Sequence, residues 1–188
     1  MPEWFKDSCR KIKYMFPKGH AVAYVTMSLR VAWFKLHEPL AYYCAYFTVR
    51  GDGFDAGTMI LSPETCRQRL QEIRDMEKPS AKDKETATCL ELVLEMTMRG
   101  IRFLPVDLYR SEVNRFVIED GNIRCPFTSL SGLGENAALP IVEARKQGEF
   151  LSIEDLRVRG KVGSGTIELL RAHGTLEGLS ETSQISMF

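Results

Sequence analysis

Residues 126–145 read PFTSLSGLGENAALPIVEAR, and this stretch determines how the C-terminal half of the chain is expected to fold. Gly132 and Gly134 flank Leu133, and the apolar residues that follow recur at helical spacing. Glycine accepts positive φ angles and lets a phosphate approach the backbone closely. The first N–H groups of a helix have no partner within the helix, and the helix dipole is positive at that end. The sequence therefore predicts a sharp turn into a helix whose start can hold a phosphate.

The order hydrophobic residue, glycine, hydrophobic residue, glycine, followed by Ala138 and Ile141, resembles the helix-hairpin-helix motif of DNA polymerases, ligases and repair enzymes. Such turns bind the DNA backbone and position a duplex without reading its sequence. The expected DNA-binding residues of this turn are Ser131, Gly132, Leu133 and Gly134.

An ordinary glycine turn between two packed helices is the alternative interpretation of the same stretch. Two residues depart from the usual motif. Pro140 removes a hydrogen bond inside the expected helix and should kink it. Glu135 places an anion beside the proposed phosphate.

A second glycine-rich turn, GKVGSGT at residues 160–166, precedes another helical run. It predicts a second, degenerate hairpin, with Lys161 and Ser164 as DNA-binding candidates. A nucleotide-binding P-loop requires the lysine and the hydroxyl residue after the last glycine, whereas Lys161 comes before Gly163 and Gly165. No nucleophile elbow for a Ser/His/Asp triad is present either.

Composition limits the other possibilities. With 44% hydrophobic residues in 188, the chain can bury a core. Its five cysteines form no C-x-x-C pair and its three histidines are dispersed, so no metal site and no catalytic constellation are expected. The start of the chain does not resemble a signal peptide, and the apolar run 21–36 contains Arg30 and Lys35. We expect a cytoplasmic protein without a membrane segment.

The formal net charge is zero, but residues 1–50 carry eight Lys/Arg against three Asp/Glu. A phosphate partner is therefore favoured in that segment, while DNA binding by the acidic C-terminal part must depend on local placement.

Capping and turn residues predict the helices and the hairpin in the rest of the chain. Helices are expected at residues 21–36, from Pro39 to about Phe47, from Ser62 to about Met76 and from Ser80 to Arg99. A loop is expected after Arg50, the DGN sequence at 120–122 predicts a β-hairpin, and Ser152 with Asp155 predicts another helix start.

The order of several motifs is similar to the C-terminal region of the PolC-type DNA polymerase III alpha subunits, replicative polymerases of low-GC Gram-positive bacteria. The segments that carry the resemblance are CRKIKYMFPKGHAVAYVTMSLRVAWFKLHEPLAYYCAYFTVR (9–50), GIRFLPVDLYRS (100–111), SGLG (131–134), GEFLSIEDLRVRG (148–160) and QISMF (184–188).

The resemblance implies a mainly α fold: the end of a polymerase fingers domain at residues 1–105, a tandem helix-hairpin-helix domain with a small β-hairpin at 106–179, and a flexible tail at 180–188. The complete enzyme adds deoxynucleotides to a primer through magnesium ions held by palm carboxylates. Those carboxylates are absent here, so this segment is expected to be inactive alone and to need no cofactor of its own.

The resemblance also implies partners: primer-template duplex DNA, a deoxynucleoside triphosphate, the sliding clamp and the rest of the polymerase. Lys18, His20 and Tyr24 match the family's F-P-K-x-H-x-x-x-Y run and are candidates for the nucleotide side of the fingers. A capping or core role is the alternative for His20. The final residues, Gln184, Ile185, Ser186, Met187 and Phe188, resemble the sliding-clamp-binding motif of the same polymerases.

A free-standing helix-hairpin-helix DNA-binding protein or clamp-binding adaptor, and a module of a repair nuclease, are the alternative functions. The apolar run 21–36 argues against them, because a free-standing protein should cover so large an apolar surface.

Overall fold

The computed structural model describes residues 1–12 and 17–183 of the chain. The described residues pack as two units, Met1–Pro39 and a second unit from Leu40 onward. The boundary expected at residues 105 and 106 falls inside the second unit. The division into fingers and duplex-binding regions therefore stays a prediction about function, and it does not coincide with the division of the packed structure.

The first unit contains helix α1 at Glu3–Lys11 and helix α2 at Lys18–His37, and neither helix has a buried residue. Helix α2 begins after Pro17, whose fixed φ suits a helix start, and ends at Glu38 before Pro39. Its large apolar side chains, Trp33 and Leu36 among them, are exposed. The expectation that this apolar run is helical is confirmed, and it starts three residues earlier than the pattern suggested.

The second unit begins with five helical segments that follow one another closely. They are α3 at Pro39–Arg50, a 3-10 turn at Gly51–Gly53, α4 at Ala56–Met59, α5 at Pro63–Arg74 and α6 at Ala81–Met98. The short helix α4 lies where the sequence predicted a loop.

Caps set the ends of these helices as the sequence predicted. The Ser62 hydroxyl accepts from the Thr65 N–H at 3.1 Å and starts α5. Ser80 and Asp83 form a reciprocal capping box that starts α6. Gly100, at φ 82°, follows the end of α6 in a conformation that other residues rarely adopt.

The turn at Gly51–Gly53 packs directly on α6. A Cβ built on Gly53 would lie 2.7 Å from the Glu85 carbonyl carbon and 2.8 Å from the Thr86 nitrogen. Only glycine fits where two backbones approach so closely.

Four phenylalanines connect this helical layer to the following chain. Phe47, Phe54, Phe103 and Phe116 are mutually in contact, with ring centroids between 4.7 and 5.9 Å apart. Because Phe47 and Phe54 precede the predicted boundary while Phe116 follows it, the two regions share one core.

A small sheet follows, with strands β1 at Phe103–Leu104, β2 at Val117–Glu119 and β3 at Asn122–Arg124. The strand order is β1-β3-β2, with β1 parallel and β2 antiparallel to β3. The predicted hairpin is confirmed: Asp120 and Gly121 both have positive φ, as a two-residue primed turn requires.

Three helices complete the second unit: α7 at Glu135–Arg145, α8 at Ile153–Arg159 and α9 at Ser164–Ala172. Helix α7 runs as one element through Pro140. The Ser152 hydroxyl accepts from the Asp155 N–H at 3.1 Å, which confirms the predicted start of α8. The expectation of a mainly α fold with a small β-hairpin is confirmed.

Candidate nucleic-acid interface

The first glycine turn, Leu130–Gly134, leads directly into α7. Gly132 has φ 98°, a left-handed conformation that favours glycine. Leu133 is only 3% exposed, and its N–H donates to the Leu130 carbonyl at 3.0 Å. Gly134 is the residue before α7, with extended backbone at φ −85° and ψ 168°. A buried leucine therefore anchors the turn, and the two glycines form its exposed surface.

The start of α7 keeps its first backbone donors available. No side chain caps Gly134. The Ala137 and Ala138 N–H groups both donate to the Gly134 carbonyl, at 3.0 and 3.1 Å. Within residues 1–12 and 17–183, the N–H groups of Glu135 and Asn136 have no acceptor. The exposed turn therefore offers two unpaired N–H donors at the positive end of the helix dipole.

Glu135 is the anion that the sequence placed beside this site. Its carboxylate accepts a hydrogen bond from the Asn114 side-chain amide at 2.7 Å. The neutral amide does not cancel the negative charge of Glu135, which remains exposed. The carboxylate therefore still repels an incoming phosphate.

The second turn, Gly160–Gly163, repeats the first one. Lys161 takes the left-handed conformation at φ 50°. Val162 is 6% exposed, and its N–H donates to the Arg157 carbonyl at 3.1 Å. Gly163 precedes α9 with extended backbone at φ −73° and ψ 162° and without a side-chain cap. The predicted second turn therefore shares three features with the first, namely a left-handed residue, a buried apolar residue and an extended glycine before the helix. The backbone hydrogen bond of its buried residue spans five residues instead of three.

The equivalence continues into the helices. Gly134 and Gly163 are each followed at the same spacing by two buried apolar residues, Ala138 and Ile141 in α7 and Ile167 and Leu170 in α9. The first turn also lies close to α9, because a Cβ built on Gly132 would lie 4.0 Å from Leu169 Cδ2.

Two arginines that might have bound DNA have structural roles. The Arg159 guanidinium donates to the Ala144 and Gly148 carbonyls at 2.7 and 2.9 Å, which joins α8 to the end of α7. Arg145 donates to the Ser111 carbonyl at 2.6 Å. Arg159 thus binds carbonyls at the end of α7, whereas Arg145 binds the loop between β1 and β2.

Asp155 completes the Arg159 contact. A hydrogen bond from the Leu151 backbone N–H, together with the Arg159 guanidinium at 3.0 Å, lowers the pKa of the Asp155 carboxyl. The carboxylate and the three backbone carbonyls therefore engage the Arg159 guanidinium within the protein.

The structure separates the predicted DNA-binding residues into two groups. Ser131, Gly132, Gly134, Lys161 and Ser164 are exposed. The Leu133 side chain is buried and its N–H is already bonded, so its part in the turn is packing.

The candidates for the nucleotide side lie in the first unit. Lys18, His20 and Tyr24 occupy the first two turns of α2 and are exposed. The His20 and Tyr24 rings meet edge to face with centroids 4.4 Å apart. The predicted clamp-binding residues Gln184, Ile185, Ser186, Met187 and Phe188 lie outside the described residues.

Sequence reasoning treated α5 and α6 as scaffold and missed two cations near the first turn. Arg69 of α5 and Lys82 of α6 line a groove that residues 128–134 also line. No local sequence signal could have placed them there, because the contact depends on how distant helices pack.

Within the described ranges, no cluster of His, Cys, Asp or Glu could hold a metal ion. None of the helices described is both long and apolar enough to cross a bilayer.

Comparison with known proteins agrees with this geometry. A family model for the helix-hairpin-helix motif matches residues 100–185. The whole chain is 52% identical to part of the PolC-type DNA polymerase III of Bacillus subtilis, covering 13% of that protein. It is 50% identical to the PolC-type DNA polymerase III of Clostridium perfringens, covering 13%, and 46% identical to that of Thermotoga maritima, covering 14%. The resemblance indicated by the sequence motifs is confirmed, and the chain corresponds to a small segment of these relatives.

Proposed function

We propose that this chain, which is similar over its full length to a segment of PolC-type DNA polymerase III, is a duplex-DNA-binding part of a replicative DNA polymerase. The observation that carries the proposal is the pair of uncapped helix starts after Gly134 and Gly163, which share one backbone geometry. Two such starts, each with unpaired N–H groups, can hold phosphates of the primer-template.

Binding of this kind has no sequence preference. The exposed surface of both turns consists of backbone, one lysine and small hydroxyl residues, which suit contacts with phosphates. Contact with the backbone suits a polymerase, which must move along every sequence it copies. Phosphate contacts make the affinity depend on salt.

The catalytic step belongs to other parts of the proposed polymerase. Its palm carboxylates would hold magnesium ions, and this chain would contribute DNA and nucleotide contacts. We place Lys18, His20 and Tyr24 on the nucleotide side, where an exposed lysine offers a charge for a triphosphate. A replicative polymerase of bacteria acts in the cytoplasm, where we expect this chain.

The exposed apolar helix α2 supports assembly with a larger protein. It spans 20 residues without a buried one in its own unit. We propose that the remaining polymerase covers it. This observation counts against a free-standing DNA-binding or adaptor protein, which would leave the whole helix in water.

The terminal residues Gln184–Phe188 complete the proposal as an attachment to the sliding clamp. Support comes from their sequence alone: a glutamine, then Ile185, and Met187 and Phe188 as apolar anchors. A few such anchors can carry most of the energy of a peptide interface.

A titration of the 188-residue chain with two labelled duplexes of equal length and unrelated sequence tests the proposed function. We expect equal affinities, and a logarithm of the association constant that falls linearly with the logarithm of salt concentration. A strong preference for one sequence, or affinity that is insensitive to salt, would count against backbone binding. Primer extension with magnesium by the purified chain should give no product.

A further inference from the structure

A groove of about 780 Å³ runs beside the first glycine turn within the second unit. Residues 128–134 line it together with Arg69, Lys82 and Thr86. The residues that precede α7 are therefore shared by the proposed phosphate site and the groove.

The lining of the groove has the chemistry of an anion site. Arg69 carries one cation, whose Nη1 lies 2.9 Å from the Glu72 carboxylate in a half-exposed pair. Lys82 is exposed and lies near the Asp83 carboxylate. Thr86, Thr128 and Ser131 add hydroxyl groups that can donate to phosphate oxygens.

One carboxylate, Asp55, is present among the residues that line the groove. Its Oδ2 accepts from the Thr58 hydroxyl at 2.8 Å, which compensates part of its charge by hydrogen bonding. Among the residues that line the groove, two cations stand against the one carboxylate of Asp55, while Glu72 and Asp83, which lie near these cations, are not part of the lining.

We propose that Arg69 and Lys82 bind further phosphates of the DNA strand that is held at Gly134. The proposal rests on the proposed function and extends it. It assigns DNA contacts to α5 and α6, which lie outside the residues that match the helix-hairpin-helix model. The duplex is then held by a turn that supplies backbone donors and by two helices that supply the charge which the turn lacks.

Charge-neutral substitutions test this assignment against a matched control. The test variant is Arg69→Gln with Lys82→Gln. The control is Arg67→Gln with Lys84→Gln, two cations on the same helices, each two residues away and therefore on a different face. Arg67 and Arg69 each form one exposed ion pair with a glutamate three residues away, so both variants lose the same kind of local contact. Equal thermal unfolding midpoints would show that the folds match.

The measured quantity is the slope of the logarithm of duplex affinity against the logarithm of salt concentration. Removing two phosphate contacts should reduce its magnitude by about 1.8, since each contact contributes about 0.9. The affinity of the test variant at low salt should fall by about tenfold or more relative to the control. Equal slopes for the two double variants would overturn the assignment.

The variant Gly134→Val separates this result from the proposed function. If Gly134→Val weakens binding while the two double variants behave alike, the turn binds DNA and the groove does not. If the unmodified chain binds no duplex at low salt, the proposed function and the groove assignment are both wrong.

Discussion

Gly134 and Gly163 occupy equivalent positions in two consecutive turns: each precedes a helix with extended backbone and has no side-chain cap. A Cβ built on either glycine would meet no atom within 4 Å. The protein itself therefore leaves space for a side chain at both positions. Under the proposed function, glycine leaves this space to a phosphate that approaches the backbone.

Substitution by valine should therefore reveal that group. Gly134→Val and Gly163→Val should each weaken duplex binding by about ten- to a hundredfold, because each blocks hydrogen bonds to a charged phosphate worth about 1.5–3 kcal/mol. Fluorescence anisotropy with a labelled duplex measures the effect. The duplex affinity of Gly134→Ala, which has a smaller side chain, should lie between those of the unmodified chain and of Gly134→Val. Unchanged affinity in both valine variants would show that neither turn approaches DNA.

Removing the anion beside the first turn should strengthen binding. The glutamine of the Glu135→Gln variant can still accept the hydrogen bond from Asn114. Because it is neutral, it no longer repels a phosphate. A charge several ångströms away in water is worth about 0.6 kcal/mol, so affinity should rise about two- to threefold. Glu143→Gln, near the other end of α7, serves as the control. An equal gain in both variants would mean that only net charge matters.

The ion pair between Glu119 and Arg124 should make stability depend on acid pH. Arg124 donates to the two oxygens of Glu119 at 2.8 and 2.6 Å, and Arg110 adds a third contact at 2.6 Å. Principally through the Arg124 hydrogen bonds, and further through Arg110, the pKa of Glu119 is lowered from its ordinary value of 4.5 to about 2. Because the folded pKa is depressed, this stabilisation is present above about pH 4.5 and is lost as pH falls toward 2.

Glu119→Gln should accordingly lower the free energy of unfolding at pH 7 by about 1–3 kcal/mol, because the largely buried Arg124 loses its charged partner. The difference from the unmodified protein should shrink as the pH approaches 2. Urea unfolding at several pH values measures it. Glu64→Gln, which breaks an exposed pair with Arg67, should cost less than about 1 kcal/mol. A Glu119→Gln effect that stays constant down to pH 2 would exclude this linkage.

The terminal motif can be tested on the clamp. Phe188→Ala should weaken binding of the chain to the cognate sliding clamp by about ten- to a hundredfold, since burying one phenylalanine is worth roughly 1.5–3 kcal/mol. Surface plasmon resonance with immobilised clamp provides the measurement. Thr182→Ala, outside the motif, should bind like the unmodified chain. Equal affinities for all three proteins would show that the pentapeptide is not a clamp ligand.

Local signals predicted most of the helices and the hairpin. Ser80 with Asp83 and Ser152 with Asp155 start helices through their own side chains, and Asp120-Gly121 forms its turn within four residues. The first glycine turn was equally local, because Gly132 must take a positive φ.

Features that depend on distant parts of the chain were not predictable in this way. Lys161 adopts the left-handed conformation without being glycine, at a cost of about 1–2 kcal/mol, so the second turn looked degenerate. The phenylalanine cluster crosses the predicted boundary at residues 105 and 106. The positions of Arg69 and Lys82 opposite the first turn arise from helix packing, which no spacing in the sequence encodes.

The central claim is that backbone N–H groups at the starts of α7 and α9 hold DNA phosphates. Amide NMR during titration with duplex DNA tests it most directly. We predict that the resonances of Glu135 and Asn136 in α7, and of Ser164 and Gly165 in α9, shift the most and saturate together, whatever the sequence of the duplex. A duplex that binds while these four resonances stay in place would contradict the claim.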